Sequence, residues 1–218
     1  SFSDYLCGVF LNTMTLKERI VIKVGTLFYQ YGIKNVSMDD LASSLGISKR
    51  TLYENFRDKE EVLLTYMAGK RDERNNKIVE AINRSENMIE VFLYLIEYHK
   101  NKEPPSIKFY EDIYKYYPQI YKLIQKDVEN NKIHIKEYLQ QGIDQGYIRG
   151  DLNVDVAAFL VEETTYTYIR AAYLEKPPFS FQQLFFTMMV NFIRGISTYK
   201  GIQIIDDYLT NNNSSVFF

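Results

Sequence analysis

The chain has 218 residues, 46% hydrophobic and 25% charged, which marks it as globular with room for one large or two modest domains and excludes a disordered or fibrous class. A formal net charge of −2 excludes a bulk electrostatic grip on nucleic acid, so any DNA affinity must come from locally placed cations. A single cysteine, Cys7, excludes an intrachain disulfide and suits a reducing, cytoplasmic compartment.

Residues 1–13, SFSDYLCGVFLNT, are apolar but too short for a transmembrane span and lack the basic start of a signal peptide. They read as an upstream extension or appended segment, with an arm packed on the first helix as the alternative. Thr15 and Glu18 then form a capping box, and Ile20, Val24, Leu27, Phe28 and Tyr31 recur at helical spacing up to Gly32. Ser37, with Asp40 three residues on, caps a helix over 38–45 that stops at Gly46, where a left-handed residue ends a helix cheaply. Ser48 caps a second helix over 49–56, and Asp58 with Glu61 opens a third.

The apolar positions of 37–59 fit one small core. Leu41 and Leu45 share one helix face, Leu52 and Phe56 another, Ala42 is small at the crossing, and Ile47 plugs the turn. Lys49, Arg50, Thr51, Tyr53 and Asn55 are left pointing outward. Two helices joined by a short Gly-containing turn, the second exposing polar residues at its N-terminal end, describe a helix-turn-helix. From helix geometry alone, a plain helical hairpin with a solvated face fits equally well.

The run GISKRTLYENFRDKEEVL resembles the signature of the tetracycline-repressor (TetR/AcrR) family: Gly46, Ser48, Lys49, Thr51, Leu52, Tyr53, Phe56, Lys59, Glu60 and Leu63 match it. Arg50 stands where that family usually has Gly, and Asn55 where it usually has His. The resemblance implies a three-helix DNA-binding domain over 14–60, a helical effector-binding and dimerisation domain over 61–218, and repression as the default mode. Ser37, Lys59 and the Tyr53 hydroxyl are then the candidates for phosphate contacts, and Lys49, Arg50 and Thr51 for base edges; Ser48 and Asn55 complete the DNA-facing set.

Beyond Lys59 a long helix carries Val62, Leu63, Tyr66 and Met67 into a mixed-charge stretch, 70–77, that reads as a solvated face. Ser85 or Asn87 restarts the pattern in a helix ending near His99. After Pro104 and Pro105, Ser106 caps an aromatic-rich segment, and Pro118 opens a helix to about Gln145. Asn153 opens a further helix through Tyr173, ended at Pro177; Ser180 caps a last major helix through Ile193; and the polar tail from Gly201 holds one short turn at 204–209. The fold class is therefore all-α, with about nine helices.

The last two long helices offer more apolar surface than one interface needs, so Tyr166, Tyr173, Phe185, Met189 and Phe192 are expected to build a homodimer as a four-helix bundle. A cavity for a small effector is expected among His99, Phe109, Tyr110, Tyr114, Tyr138, Glu162, Tyr166 and Arg170, although any single ring is more often core. No Gly-rich phosphate loop, Cys cluster, Glu-x-x-His pair or nucleophile-base set occurs, so neither cofactor, metal nor catalysis is expected. The expected partners are an operator in double-stranded DNA, a small effector and a second copy, with no membrane. The alternative is a helical-bundle binding protein or enzyme whose helix-turn-helix serves only protein contacts.

Overall fold

The computed structural model describes residues 14–100, 102, 106–163 and 178–211, all discussed below by these helices: α1 (Leu16–Tyr31), α2 (Met38–Leu45), α3 (Lys49–Asn55), α4 (Lys59–Arg84), α5 (Met88–Lys100), α6 (Ile107–Tyr116), α7 (Pro118–Asp144), α8 (154–163 as far as described), α9 (Phe181–Ile196) and α10 (Tyr199–Asn211). The chain divides into two compact units. The described residues of Ser1–Glu73 with Pro105–Tyr121 form the first, and those of Arg74–Pro104 with Lys122–Phe218 the second.

In the first unit the caps act as the sequence dictates. Thr15 with Glu18, and Ser37 with Asp40, close reciprocal capping boxes. Ile20, Val24 and Phe28 of α1, Ile33 and Val36 of the following loop, Leu41 and Ala42 of α2, Leu52 and Phe56 on α3, and Val62 and Leu63 of α4 are all buried. Tyr66 lies across α1 where Gly25 leaves space; a Cβ at Gly25 would stand 2.0 Å from the Tyr66 ring. The unit runs beyond residue 60 and takes in α6. Phe109 packs edge-on against Tyr29, with ring centroids 4.9 Å apart, and the Ser106 amide donates to the Tyr29 carbonyl at 3.2 Å. Ser106 occupies the N-cap position of α6 but makes no side-chain cap bond, contrary to the sequence expectation, because its hydroxyl is buried away from any partner.

In the second unit α5 packs along α9, and α10 lies against both. Ile89, Leu93 and Ile96 of α5, Leu139 of α7, Ala157 and Ala158 of α8, seven residues of α9 and Ile205 of α10 form one core. Asn87, rather than Ser85, opens α5: its Oδ1 accepts from the Glu90 amide at 3.1 Å. The tail expected to hold only a short turn is the full helix α10. Thr198 starts it, its Oγ1 accepting from the Gly201 amide at 3.3 Å. Gly201 does not break the chain there; it lets the helix approach the Tyr147 carbonyl, which a Cβ would meet at 2.4 Å.

Candidate nucleic-acid interface

The turn between α2 and α3 is fixed by backbone bonds. Gly46 sits in the left-handed region at φ 66°, its amide donating to the Ser43 carbonyl at 3.2 Å while the Ile47 amide donates to the Ala42 carbonyl at 3.1 Å. That pair is a Schellman stop, and it turns the chain straight into the Ser48 cap of α3. Ser48 Oγ accepts from the Thr51 amide at 3.0 Å and shares a hydrogen bond with the Thr51 hydroxyl at 2.8 Å. With Leu52 and Phe56 buried, the opposite side of α3 presents Lys49, Arg50 and Tyr53 to solvent, the Arg50 side chain at 88% exposure.

Each exposed cation here meets a carboxylate. Lys49 Nζ lies 2.7 Å from an Asp39 oxygen on α2, Arg50 Nε 2.9 Å from Glu54 one turn on, and Arg57 Nε 2.8 Å from Asp58. The hydrogen bond to Asp39 raises the Lys49 pKa above its ordinary value, and the Ser37 hydroxyl and amide hold Asp40 below its own. Asp58 accepts from the Glu61 amide at 2.9 Å, and the Glu61 carboxylate accepts from the Arg57 amide at 2.7 Å, so the first turn of α4 is capped from both sides.

Not every expected DNA-facing residue turns outward. Thr51 and Asn55 are half-buried, and the Asn55 amide donates back to the Thr51 carbonyl at 2.8 Å. The Ser37 hydroxyl donates to Asp40 at 2.7 Å. Lys59 is the main correction to the phosphate-contact set. Its half-buried Nζ donates to the carbonyls of Ile33 and Val36, each at 2.8 Å, and burial lowers its pKa despite the nearby Asp112 and Asp40. It staples α4 to the loop before α2. Asp112 of α6 grips the same loop through the Lys34 amide at 2.7 Å, and the Lys34 ammonium reaches the Tyr116 hydroxyl at 3.2 Å.

The aromatic set expected to line one effector cavity falls into two groups. Phe109 and Tyr110 belong to the first unit, where Phe109 is buried core against Tyr29. Tyr114 is 66% exposed, edge-on to Tyr121, because α6 turns its other face to α1. His99, Tyr138 and Glu162 belong to the second unit, while Tyr166, Arg170 and Tyr173 lie outside the described residues. Burial raises the Glu162 pKa, opposed by a hydrogen bond from Asn131 and by the charges of Arg74 and Lys132. Arg74 falls in the charge run that reads as a solvated face, yet its Nε is buried without a hydrogen-bond partner. Only its place three residues before Lys77 and four before Ile78 hints at an inward face. A groove of about 460 Å³ opens beside α10, lined by Tyr147, Lys200, Gln203, Ile204, Asp206 and Asp207, none of them from the expected set.

Of the expected dimer residues, Phe185, Met189 and Phe192 are likewise corrected. Phe185 and Met189 are 8% and 7% exposed, turned into the core shared with α5, and Phe192 packs half-buried on that core. Helical phase explains the difference. The buried row of α9 runs 181, 185, 186, 189, 190, 193, 196, which leaves Leu184, Thr187, Met188 and Asn191 on the other side. On α8, Val156, Phe159 and Leu160 make an exposed apolar stripe at helical spacing. Among the described residues no helix is long and apolar enough to cross a membrane.

Residues 26–66 match the family model described as "Bacterial regulatory proteins, tetR family". The HTH-type transcriptional repressor KstR2 of Mycolicibacterium smegmatis is 24% identical over 196 residues, covering 85% of this chain and 92% of the relative. The solved structure of the ketosteroid transcriptional regulator KstR2 of Mycobacterium tuberculosis superposes with a TM-score of 0.62 at 21% identity, over 84% of this chain and 96% of that one. A putative transcriptional regulator from Saccharomonospora viridis, solved in complex with choline, does so at 0.70 and 20% identity, over 84% and 97%. With a capped recognition helix whose exposed side carries Lys49, Arg50 and Tyr53, and with these likenesses, residues 26–66 carry a helix-turn-helix of the tetR type and the chain is a DNA-binding transcriptional regulator.

Proposed function

We propose that the chain is a cytoplasmic, homodimeric repressor that grips a two-fold operator and is released by a small effector bound in its second unit. The observation that carries this reading is α4. Its first turn is stapled by Lys59 to the loop before the helix-turn-helix, and the same continuous helix delivers Arg74 to the second unit, where Asn131 and Glu162 belong too. An effector that binds better in one setting of α4 must change DNA affinity by the factor by which DNA changes effector affinity, typically about 1–3 kcal/mol of coupling.

Arg74, Asn131 and Glu162 give the effector a polar anchor: a guanidinium with an unpartnered buried Nε beside a carboxyl whose pKa burial raises. Tyr138 packs against the buried apolar cluster of Ala81, Met88 and Val91, and apolar surroundings of this kind favour an otherwise apolar molecule with one polar end. That class accommodates a ketosteroid-like compound, the type named for the mycobacterial relative. For the dimer, the exposed stripe Val156, Phe159 and Leu160 and the outer row Leu184 and Met188 supply the apolar face.

The test is a gel shift on genomic fragments flanking the chain's own gene, read beside sedimentation of the free protein. One shifted complex of dimer stoichiometry, reversed by a small apolar compound, is expected. Monomeric protein that shifts no flanking fragment would refute the reading.

A further inference from the structure

The reading face carries more negative charge than DNA affinity requires. Between Lys34 and Lys59 five cations stand against four carboxylates, a balance of only +1. Asp39 and Glu54 lie directly on the two cations that flank the start of α3. Lys49 Nζ is 2.7 Å from Asp39 and Arg50 Nε 2.9 Å from Glu54, and all four side chains are more than half exposed. Pairs this exposed contribute little to fold stability, since solvent screens them and their side chains lose entropy. Nor does α2 need Asp39 for its cap, because Ser37 and Asp40 already close the box.

We propose that Asp39 and Glu54 are specificity determinants that keep Lys49 and Arg50 from serving as general phosphate contacts. A phosphate approaching either cation meets a carboxylate already bound there, so two anions compete for one cation and repel each other. Non-cognate duplex offers nothing to offset this, and its affinity comes almost wholly from phosphate neutralisation. A cognate site offers base edges instead. Guanine accepts the guanidinium that Glu54 steadies through Nε, and a cytosine amino group donates to a carboxylate. The carboxylates thus depress binding everywhere except where the bases supply partners, which widens the gap between operator and random DNA. This rests on the assignment of DNA binding to α3 and specifies how that helix discriminates.

The experiment measures binding of the full chain to a random-sequence duplex of about thirty base pairs across 50–200 mM salt, for wild type, Asp39→Asn, Glu54→Gln and the double variant. Each additional neutralised phosphate steepens the slope of log K against log salt by about 0.9, an added loss of roughly threefold over that salt range. The single variants are expected to steepen the slope by about 0.9 per bound protomer, the double variant by about twice that. Random-duplex affinity should rise severalfold at 50 mM, and the ratio of affinity for a sequence selected from a random pool to that for random duplex should fall. Asp72→Asn is the charge-matched control, 13 residues along α4 from Lys59 and so about 20 Å from the first turn, beyond a Debye length. Should Asp39→Asn disturb the first turn of α2, Glu54→Gln alone carries the test. Unchanged slopes in a wild type that does bind, or an equal steepening from Asp72→Asn, overturn the proposal. A wild type that binds no duplex at all would overturn the DNA-binding assignment with it.

Discussion

Replacing Lys59 by Met separates two roles that the sequence alone confuses. Methionine keeps the length and apolar stem of the side chain but removes the ammonium that donates to Ile33 O and Val36 O, each at 2.8 Å. A hydrogen bond to a charged donor contributes about 1.5–3 kcal/mol. Two are lost and two half-buried carbonyls are left short of a donor, while the ammonium's own desolvation, which lowers its pKa, is relieved. The net expected cost is about 2–3 kcal/mol, or roughly 5–10 °C in Tm for a chain of this length. Operator affinity should fall as well, because the loop that positions α2 is loosened. The slope of log K against log salt should nonetheless stay at its wild-type value, since no phosphate contact is removed. Thermal melts and salt titrations of the same preparations decide between the roles. An unchanged Tm with a slope flattened by about 0.9 per protomer would mean that Lys59 meets a phosphate and that the carbonyl staple is not its function.

Three further outcomes are expected from the same geometry. Arg50→Ala should weaken binding to operator more than to random duplex, by about 1–3 kcal/mol per half-site if the guanidinium reads a guanine, and competition binding on the two DNAs would reveal equal losses if it does not. Phe159→Glu should shift the sedimentation coefficient toward monomer while leaving the chain folded, because that ring is 50% exposed, with only the concentration-dependent fall in Tm that losing the partner brings, whereas Phe185→Glu should unfold the second unit by burying an unpaired carboxylate; a dimer intact in Phe159→Glu would move the interface elsewhere. Burial raises the Glu162 pKa above 4.5, so this group's contribution to stability is full below the unfolded value and is lost as pH rises through the higher folded value. Glu162→Gln should therefore gain in Tm relative to wild type between pH 4 and pH 7, and parallel Tm curves for the two proteins would show that the carboxyl is not buried in the folded chain.

What is legible in the sequence is local. Capping boxes at Thr15 and Ser37, the Gly46 stop and the Leu52–Phe56 spacing each operate within a few residues, and the helix-turn-helix follows from them. What stays hidden depends on distant partners. The inward face of α6 is chosen by Tyr29 and by the Lys34 amide, far back in the chain, so an aromatic-rich run cannot say which rings are core. Gly201 resembles a terminator because its reason for being small, the Tyr147 carbonyl, lies on another segment. The phase of α9 is ambiguous because both of its sides carry apolar residues, and only packing on α5 shows which side is interior.

The return of α6 to the first unit makes that unit discontinuous along the chain, with Arg74–Pro104 belonging elsewhere. During synthesis the helix-turn-helix is therefore incomplete when Lys59 emerges. Phe109, Asp112 and Ile113, which cover α1 and hold the loop before α2, lie some fifty residues further on, a delay of roughly 3–10 s at ordinary translation rates. The nascent reading head passes that interval without the part of its core that α6 supplies, Phe109 against Tyr29 among it, which leaves apolar surface of α1 exposed. For the same reason a fragment ending at Glu73 carries every base-facing residue yet should hold its recognition helix poorly, so grafting this specificity onto another protein requires α6 to travel with it.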